Sequence, residues 1–128
     1  MAMDVRAPKI ISFRDLQVFQ DGYRLAMEVF KITREFPSEE RYSLTSQMLN
    51  SSRSIPANIA EGWAKRQFER VFKRHLLDSI GSANEMLVWI DTAADCGYIT
   101  VSEKSSFLAD YDVLGRQLNQ LFEKWKTY

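Results

Sequence analysis

The residue types that most often do chemistry are scarce in this chain: one histidine, His75, and one cysteine, Cys96. Nucleophilic catalysis needs a Ser or Cys beside a base that a third group orients. His75 is the only neutral base of the usual kind, and no serine follows a nucleophile-elbow pattern. A zinc site draws several ligands from Cys, His and carboxylates, which one Cys and one His do not supply. A di-iron site in a helical bundle needs two Glu-x-x-His pairs projecting inward, yet the residue three before His75 is Phe72. His75 therefore reads as a surface or half-buried helix residue. Cys96 falls near the C-terminal end of a helix, where the dipole does not favour a thiolate, so it reads as structural. Phosphate-cradling glycine loops are missing as well. The expectation is a protein that is not an enzyme and that carries no metal or cofactor.

Two other groups stand out. The first is basic: Lys65, Arg66, Arg70, Lys73 and Arg74, diluted only by Glu69. At about 100° per residue, the last four basic residues share one sector of a helix. Phe68 and Phe72 point the other way. Such a stripe is either a solvated helix face or a set of phosphate contacts. The second group is polar residues among apolar ones: Arg53, Asn58 and Glu61 around Pro56, with Ser82 and Glu85 further on. Buried polar groups must find partners. These five form either a hydrogen-bond network locking helices together or a ligand pocket. In the first case Asn58 or Arg53 would meet the carbonyl that Pro56 leaves free. An enzyme-like pocket around Glu61 and Glu85 ranks last, because no acid–base–nucleophile set accompanies the carboxylates.

Long helices must carry these residues. Only three prolines and five glycines punctuate 128 residues, and period-2 alternation is not sustained. Residues 1–12 read as a flexible N-terminal arm and 13–128 as one domain. The first helix is expected from a Ser12 cap, with Asp15 three residues later, to Phe36-Pro37. It bears two apolar stripes. Leu16, Phe19, Tyr23, Ala26 and Phe30 make one; Val18, Leu25, Val29, Ile32 and Phe36 make the other. A bundle core needs only one stripe, so the second suggests a wide buried face or a contact with another subunit. The second helix is expected from Ser38 to about Gly62, through Tyr42, Leu44, Met48, Leu49, Ile55 and Ile59, kinked at Pro56. The third runs from about Arg66 to Cys96 on Phe68, Phe72, Leu76, Ile80, Ala83, Leu87, Ile90 and Ala94, and Gly97 caps it. A fourth, capped by Thr100 or Ser102, carries Phe107, Tyr111, Leu114, Leu118, Leu121 and Trp125. Short connections make sequential helices antiparallel. The fold class is all-α, an antiparallel up-down four-helix bundle.

Charge narrows the function further. The 17 basic and 17 acidic residues cancel, which argues against nucleic-acid coating by bulk charge alone and points to a local patch. No apolar run reaches the length of a membrane span. Asp4, Arg6 and Lys9 interrupt any secretory pattern, and a lone cysteine fits a reducing compartment. The expected location is the cytoplasm.

Several motifs then agree with one family. Phe13-Arg14-Asp15-Leu16, Phe36-Pro37-x-x-Glu40-x-Tyr42-x-Leu44 and Gln47 come first. Ser54-Ile55-Pro56-Ala57-Asn58-Ile59-Ala60-Glu61-Gly62, Gly81-Ser82-x-x-Glu85 and Gly97-Tyr98-Ile99 follow in order. Over residues 13–125 the chain resembles the four-helix-bundle proteins encoded in intervening sequences of bacterial 23S ribosomal RNA genes, which often carry an old ribosomal-protein label. It is also similar to the accessory proteins of diversity-generating retroelements. The resemblance implies a homopentamer. It further implies, by analogy with those accessory proteins, binding of a reverse transcriptase and of nucleic acid through basic surfaces. Those proteins are clearly basic, whereas this chain is neutral. The leading expectation is a non-enzymatic homo-oligomer that binds RNA or DNA through Lys65, Arg66, Arg70, Lys73 and Arg74. The second is an adaptor that docks a protein partner, with Trp63 and Trp125 as exposed anchors.

Overall fold

A computed structural model describes residues 9–127. Most of the expected arm, residues 1–8, lies outside the described residues. Four helices follow in order: α1 (Gln17–Thr33), α2 (Leu44–Ala64), α3 (Glu69–Asp95) and α4 (Val101–Lys124). They form an antiparallel up-down bundle in which each helix packs most closely on its neighbours in sequence. α1 and α4 close it with a lighter contact. Among the described residues there is no strand, and no helix is long and apolar enough to cross a membrane.

The core follows a heptad rhythm. Phe72, Leu76, Ser79, Ala83, Met86, Ile90 and Ala93 are the buried positions of α3. Their alternating steps of four and three keep one seam facing the partner helices. Of the expected stripe on α3, Phe72, Leu76, Ala83 and Ile90 lie on this seam. Ile80, Leu87 and Ala94 are half-buried flanks, and Phe68 is exposed ahead of the helix. Phe107, Tyr111, Leu114 and Leu118 line the buried seam of α4 as expected. Both stripes of α1 exist, but they differ. Val18, Leu25, Val29 and Phe36 are buried and Ile32 half-buried, whereas in the other stripe Leu16 and Ala26 are buried, Phe19 and Phe30 half-buried and Tyr23 55% exposed.

Of the four helices only α4 begins at a side-chain cap, and three helix ends differ from expectation. Ser12 and Asp15 do cap, but they cap a 3-10 turn at Phe13–Asp15, and α1 starts only at Gln17. Ser38 opens a second 3-10 turn rather than α2, which leaves Tyr42 87% exposed outside the helix. Phe36 lies beyond α1 and still fills the core from the turn. Of the two candidates for α4, Thr100 is the cap: its Oγ1 accepts from Glu103 N–H at 3.0 Å and its N–H donates to Glu103 Oε1 at 2.8 Å. Gly97 ends α3 at φ +78°, with Tyr98 N–H on the Ala93 carbonyl and Gly97 N–H on that of Ala94. This is the left-handed stop that glycine enters at least cost. Cys96 is exposed at that stop rather than packed in the core.

One tie joins the two turns at the same end of the bundle. Tyr98 Oη donates to Glu40 Oε2 at 2.6 Å, and Leu44 N–H donates to Glu40 Oε1 at 3.3 Å. Both bonds favour the carboxylate, the tyrosine bond most, so the Glu40 carboxyl titrates below its usual range. The same bond pushes the Tyr98 hydroxyl up to about 12. A depressed carboxyl stabilises the fold fully above its unfolded pKa and loses that contribution as pH falls through the folded value. Tyr98→Phe is therefore expected to lower the urea midpoint at about pH 7 and to lower it less at about pH 3.5. An equal loss at both pH values would show that the bond does not couple to Glu40.

Candidate functional site

The connection between α2 and α3 is the centre of the basic group. Its geometry differs from a single helical stripe. α2 ends at Ala64, and Lys65 to Phe68 make the reversal through hydrogen bonds from Lys65 N–H to the Gly62 carbonyl and from Phe68 N–H to the Lys65 carbonyl. Lys65 and Arg66 thus stand on the turn, and only Arg70, Lys73 and Arg74 ride on α3. Lys65 is occupied by Glu61, with Nζ 3.0 Å from Oε2. That contact, with a lesser contribution from His75, holds the Glu61 carboxyl below its usual range. Lys73 turns toward α4, 3.5 Å from Glu69 and 5.3 Å above the Phe122 ring. Arg66 lies over Trp63, its Cζ 4.2 Å from the ring centroid, and donates to the Trp63 carbonyl at 2.9 Å. Arg70 and Arg74 are exposed and make no ion pair among the described residues. The expected stripe therefore reduces to Arg66, Arg70 and Arg74 as available cations.

The turn is held from beneath and from the side. Trp63, Phe72 and Trp125 form an aromatic cluster, with the Phe72 centroid 4.7 Å from Trp125 and 6.3 Å from Trp63. Edge-to-face pairs of this kind contribute about 0.5–1.5 kcal/mol beyond their buried area. Trp63 is only 8% exposed and Trp125 is half-buried, so the two tryptophans expected as exposed anchors are structural. Beyond α4 the chain crosses the turn. Thr127 Oγ1 donates to the Arg66 carbonyl at 2.7 Å, and Thr127 N–H donates to Glu69 Oε1 at 3.0 Å. The amide, aided by Lys73, keeps the Glu69 carboxyl low. An open cleft of about 370 Å³ remains between the two, lined by Arg66, Gln67, Trp125, Lys126 and Thr127.

The polar group resolves into a seam along α2 and α3. Ser51 donates to Glu85 at 2.6 Å, Ser54 and Ser82 hydroxyls meet at 2.9 Å, and His75 Nδ1 meets Asn58 Oδ1 at 3.0 Å. Partners on α3 fall in number as those on α2 rise, as an antiparallel pair requires. Asn58 Nδ2 donates to the Ser54 carbonyl, not to the carbonyl of Ser52 that Pro56 leaves free. Ser79, buried, donates to the Ile55 carbonyl at 3.0 Å. Ser82, Asn58 and Glu85 belong to the seam. Glu61 pairs with Lys65 instead. Arg53 does not belong: it lies on the α1 side, 5.9 Å from the Phe30 centroid. Ser51, Ser54, His75 and Ser79 were not anticipated as members. Their steps of three and four with Asn58 and Ser82 were the available signal. Each described hydroxyl and amide of the seam is in a hydrogen bond. Among the described residues no group of three or more His, Cys, Asp and Glu converges as a metal site would require.

A second surface lies between α1 and α2. Phe19, Tyr23, Ala26 and Met27 face Arg53, Pro56, Ala57 and Ala60 across an apolar groove of about 400 Å³. It is the outer stripe of α1 that builds this groove.

No curated protein matches the chain. Its fold is similar to a crystal structure of a protein of unknown function from the S23 ribosomal protein family of Bacteroides thetaiotaomicron. The TM-score is 0.76 at 23% identity, over 84% of this chain and 99% of that one. At that identity the likeness speaks to the fold. In sequence, residues 14–120 match the model of the family described as 23S rRNA-intervening sequence protein. That match spans all but the ends of the bundle, and the chain therefore belongs to the 23S rRNA-intervening sequence protein family.

Proposed function

We propose that this protein is a non-enzymatic homo-oligomeric scaffold, pentameric, that binds RNA through the basic cluster at the α2–α3 turn. The observation that carries the reading is the exposure of Arg70 and Arg74, unpaired among the described residues, beside Arg66 on a buttressed turn. In a neutral chain, repetition of this cluster around a ring builds a local field that a monomer lacks. Lys65 and Lys73 contribute charge nearby while bound to acids. The apolar groove supports self-association: Tyr23 and Met27 expose apolar surface there, and pentamer formation covers it.

Fluorescence anisotropy with a labelled RNA oligonucleotide tests the reading. Affinity is expected to fall steeply as salt rises, by a slope of about 0.7 per phosphate contacted on a single strand. The double reversal Arg70→Glu/Arg74→Glu is expected to weaken binding by more than tenfold at low salt and to flatten the slope. No binding by the unmodified protein at low salt overturns the proposal. A mass of 14.9 kDa in light scattering at micromolar concentration overturns the self-association.

A second reading is an adaptor that docks a protein such as a reverse transcriptase. Leu77 and Val88 favour it, being 50% and 56% exposed and three turns apart on one face of α3. Leu77→Glu would then abolish partner capture and leave RNA binding unchanged.

A further inference from the structure

Phe68 is the anomaly of the α2–α3 turn. A phenylalanine normally buries its ring, yet this one is 58% exposed. It sits at the N-cap of α3, where the antiparallel reversal leaves it outside the heptad seam. The available cations surround it in sequence: Arg66 and Gln67 immediately before, Arg70 two residues after. With consecutive Cα atoms 3.8 Å apart, Arg66 to Arg70 spans at most about 15 Å, a stretch that a few nucleotides cover. The backbone of the turn is fixed by Thr127 and by the aromatic cluster below it. Phe68 is therefore displayed on a rigid base.

We infer that the α2–α3 turn recognises single-stranded RNA, with one unpaired base stacked on Phe68 and the flanking phosphates on Arg66 and Arg70. The inference rests on the RNA-binding reading and adds the strandedness of the partner. Duplex RNA offers phosphates but keeps its base faces stacked inside the helix, so an exposed phenyl face gains little from it. Unpaired bases do stack on aromatic side chains, and the gain tolerates any sequence because every base has a π-face. Cations flanking an exposed ring in the chain are a combination that single-strand binders use, charge tracking the backbone while the ring takes a base. Gln67, exposed between Arg66 and Phe68, carries both a donor and an acceptor for a 2′-hydroxyl. That is the ground for naming RNA over DNA.

The test compares the unmodified protein with Phe68→Ala, Phe68→Trp and Arg70→Glu/Arg74→Glu. Probes are a labelled 12-nucleotide RNA, its duplex and the DNA strand of the same sequence, at low salt. Light scattering of each variant runs alongside. The expected result is tighter binding of the single strand than of the duplex. Phe68→Ala then loses about tenfold on the single strand and little on the duplex, while Phe68→Trp retains affinity. If charge reversal weakens binding but Phe68→Ala affects both RNAs equally or neither, the stacking inference fails and the RNA-binding reading stands. Loss of assembly in Phe68→Ala places the ring between subunits and overturns the inference. Equal affinity for the DNA strand overturns the choice of RNA. No binding by the unmodified protein removes both the inference and the reading beneath it.

Discussion

Truncating Phe72 to alanine is expected to cost about 3–5 kcal/mol of folding stability. The ring is fully buried and joins three elements at once. Trp63 of α2 and Trp125 beyond α4 both pack against it edge-on, and its own helix brings Arg70 and Arg74, two residues to either side, to the surface. Removing it deletes the transfer energy of a phenyl ring and opens a cavity that two indoles cannot collapse into without leaving their own contacts. The effect should reach function. Trp125 Nε1 donates to Thr127 Oγ1 at 3.0 Å, and that hydroxyl holds the Arg66 carbonyl. A tilted Trp125 therefore releases the segment that braces the basic turn. Urea unfolding followed by circular dichroism, at one fixed protomer concentration because assembly adds apparent stability, gives the number. A loss below about 1 kcal/mol would show that the aromatic cluster does not support the bundle.

Gly62→Ala is the second large effect. Alanine ordinarily stabilises a helix interior by about 1 kcal/mol over glycine. Here a Cβ at position 62 would stand 2.7 Å from His75 Cβ and 3.1 Å from Phe72 Cδ1. His75 Cβ is bonded directly to the α3 backbone, so no rotamer change relieves the contact and the two helices must move apart. Overpacking of this kind costs about 1–3 kcal/mol and occasionally more. At so short a distance the clash outweighs the propensity gain, and a net loss of about 2 kcal/mol is expected. The separation would also stretch the His75–Asn58 bond at the adjacent turn of the seam. Gly81→Ala is the matched control, since nothing lies within 4 Å of a Cβ there. It should stabilise by about 0.5–1 kcal/mol. Opposite signs for the two glycines would isolate close helix approach as the cause; a stabilising Gly62→Ala would refute it.

These two substitutions meet at one place for a reason. Gly62 lets α2 and α3 approach closely, which sets the polar seam in register. Phe72 and the tryptophans fill the space that opens where the helices end. The basic turn is the outer skin of that packing. Its cations are held in place by the core as much as by their own chemistry.

The apolar periodicity was enough to determine an all-α bundle of four helices in antiparallel order. Steps of four and seven through Leu44, Met48, Ile55 and Ile59, or of four and three through Phe107, Tyr111, Leu114 and Leu118, admit no other buried surface. Gly97 and the Thr100-x-x-Glu103 pair were equally legible, because a left-handed stop and a capping box are local chemistry. What the sequence could not determine was the direction in which individual polar and aromatic side chains point. Neither Gly nor Pro marks the reversal at Lys65–Phe68, so Arg66 and Phe68 counted as helical until packing placed the turn there. Lys65 and Lys73 look like free cations until Glu61 and Glu69 are seen beside them. Trp63 and Trp125 lie far apart in sequence, and only tertiary structure closes them around Phe72. Helix formation is decided within a few residues, whereas exposure, pairing and availability to a ligand depend on which distant surfaces the bundle brings together. The scarcity of histidine and cysteine was a matter of composition. The place where a partner could bind was a matter of packing.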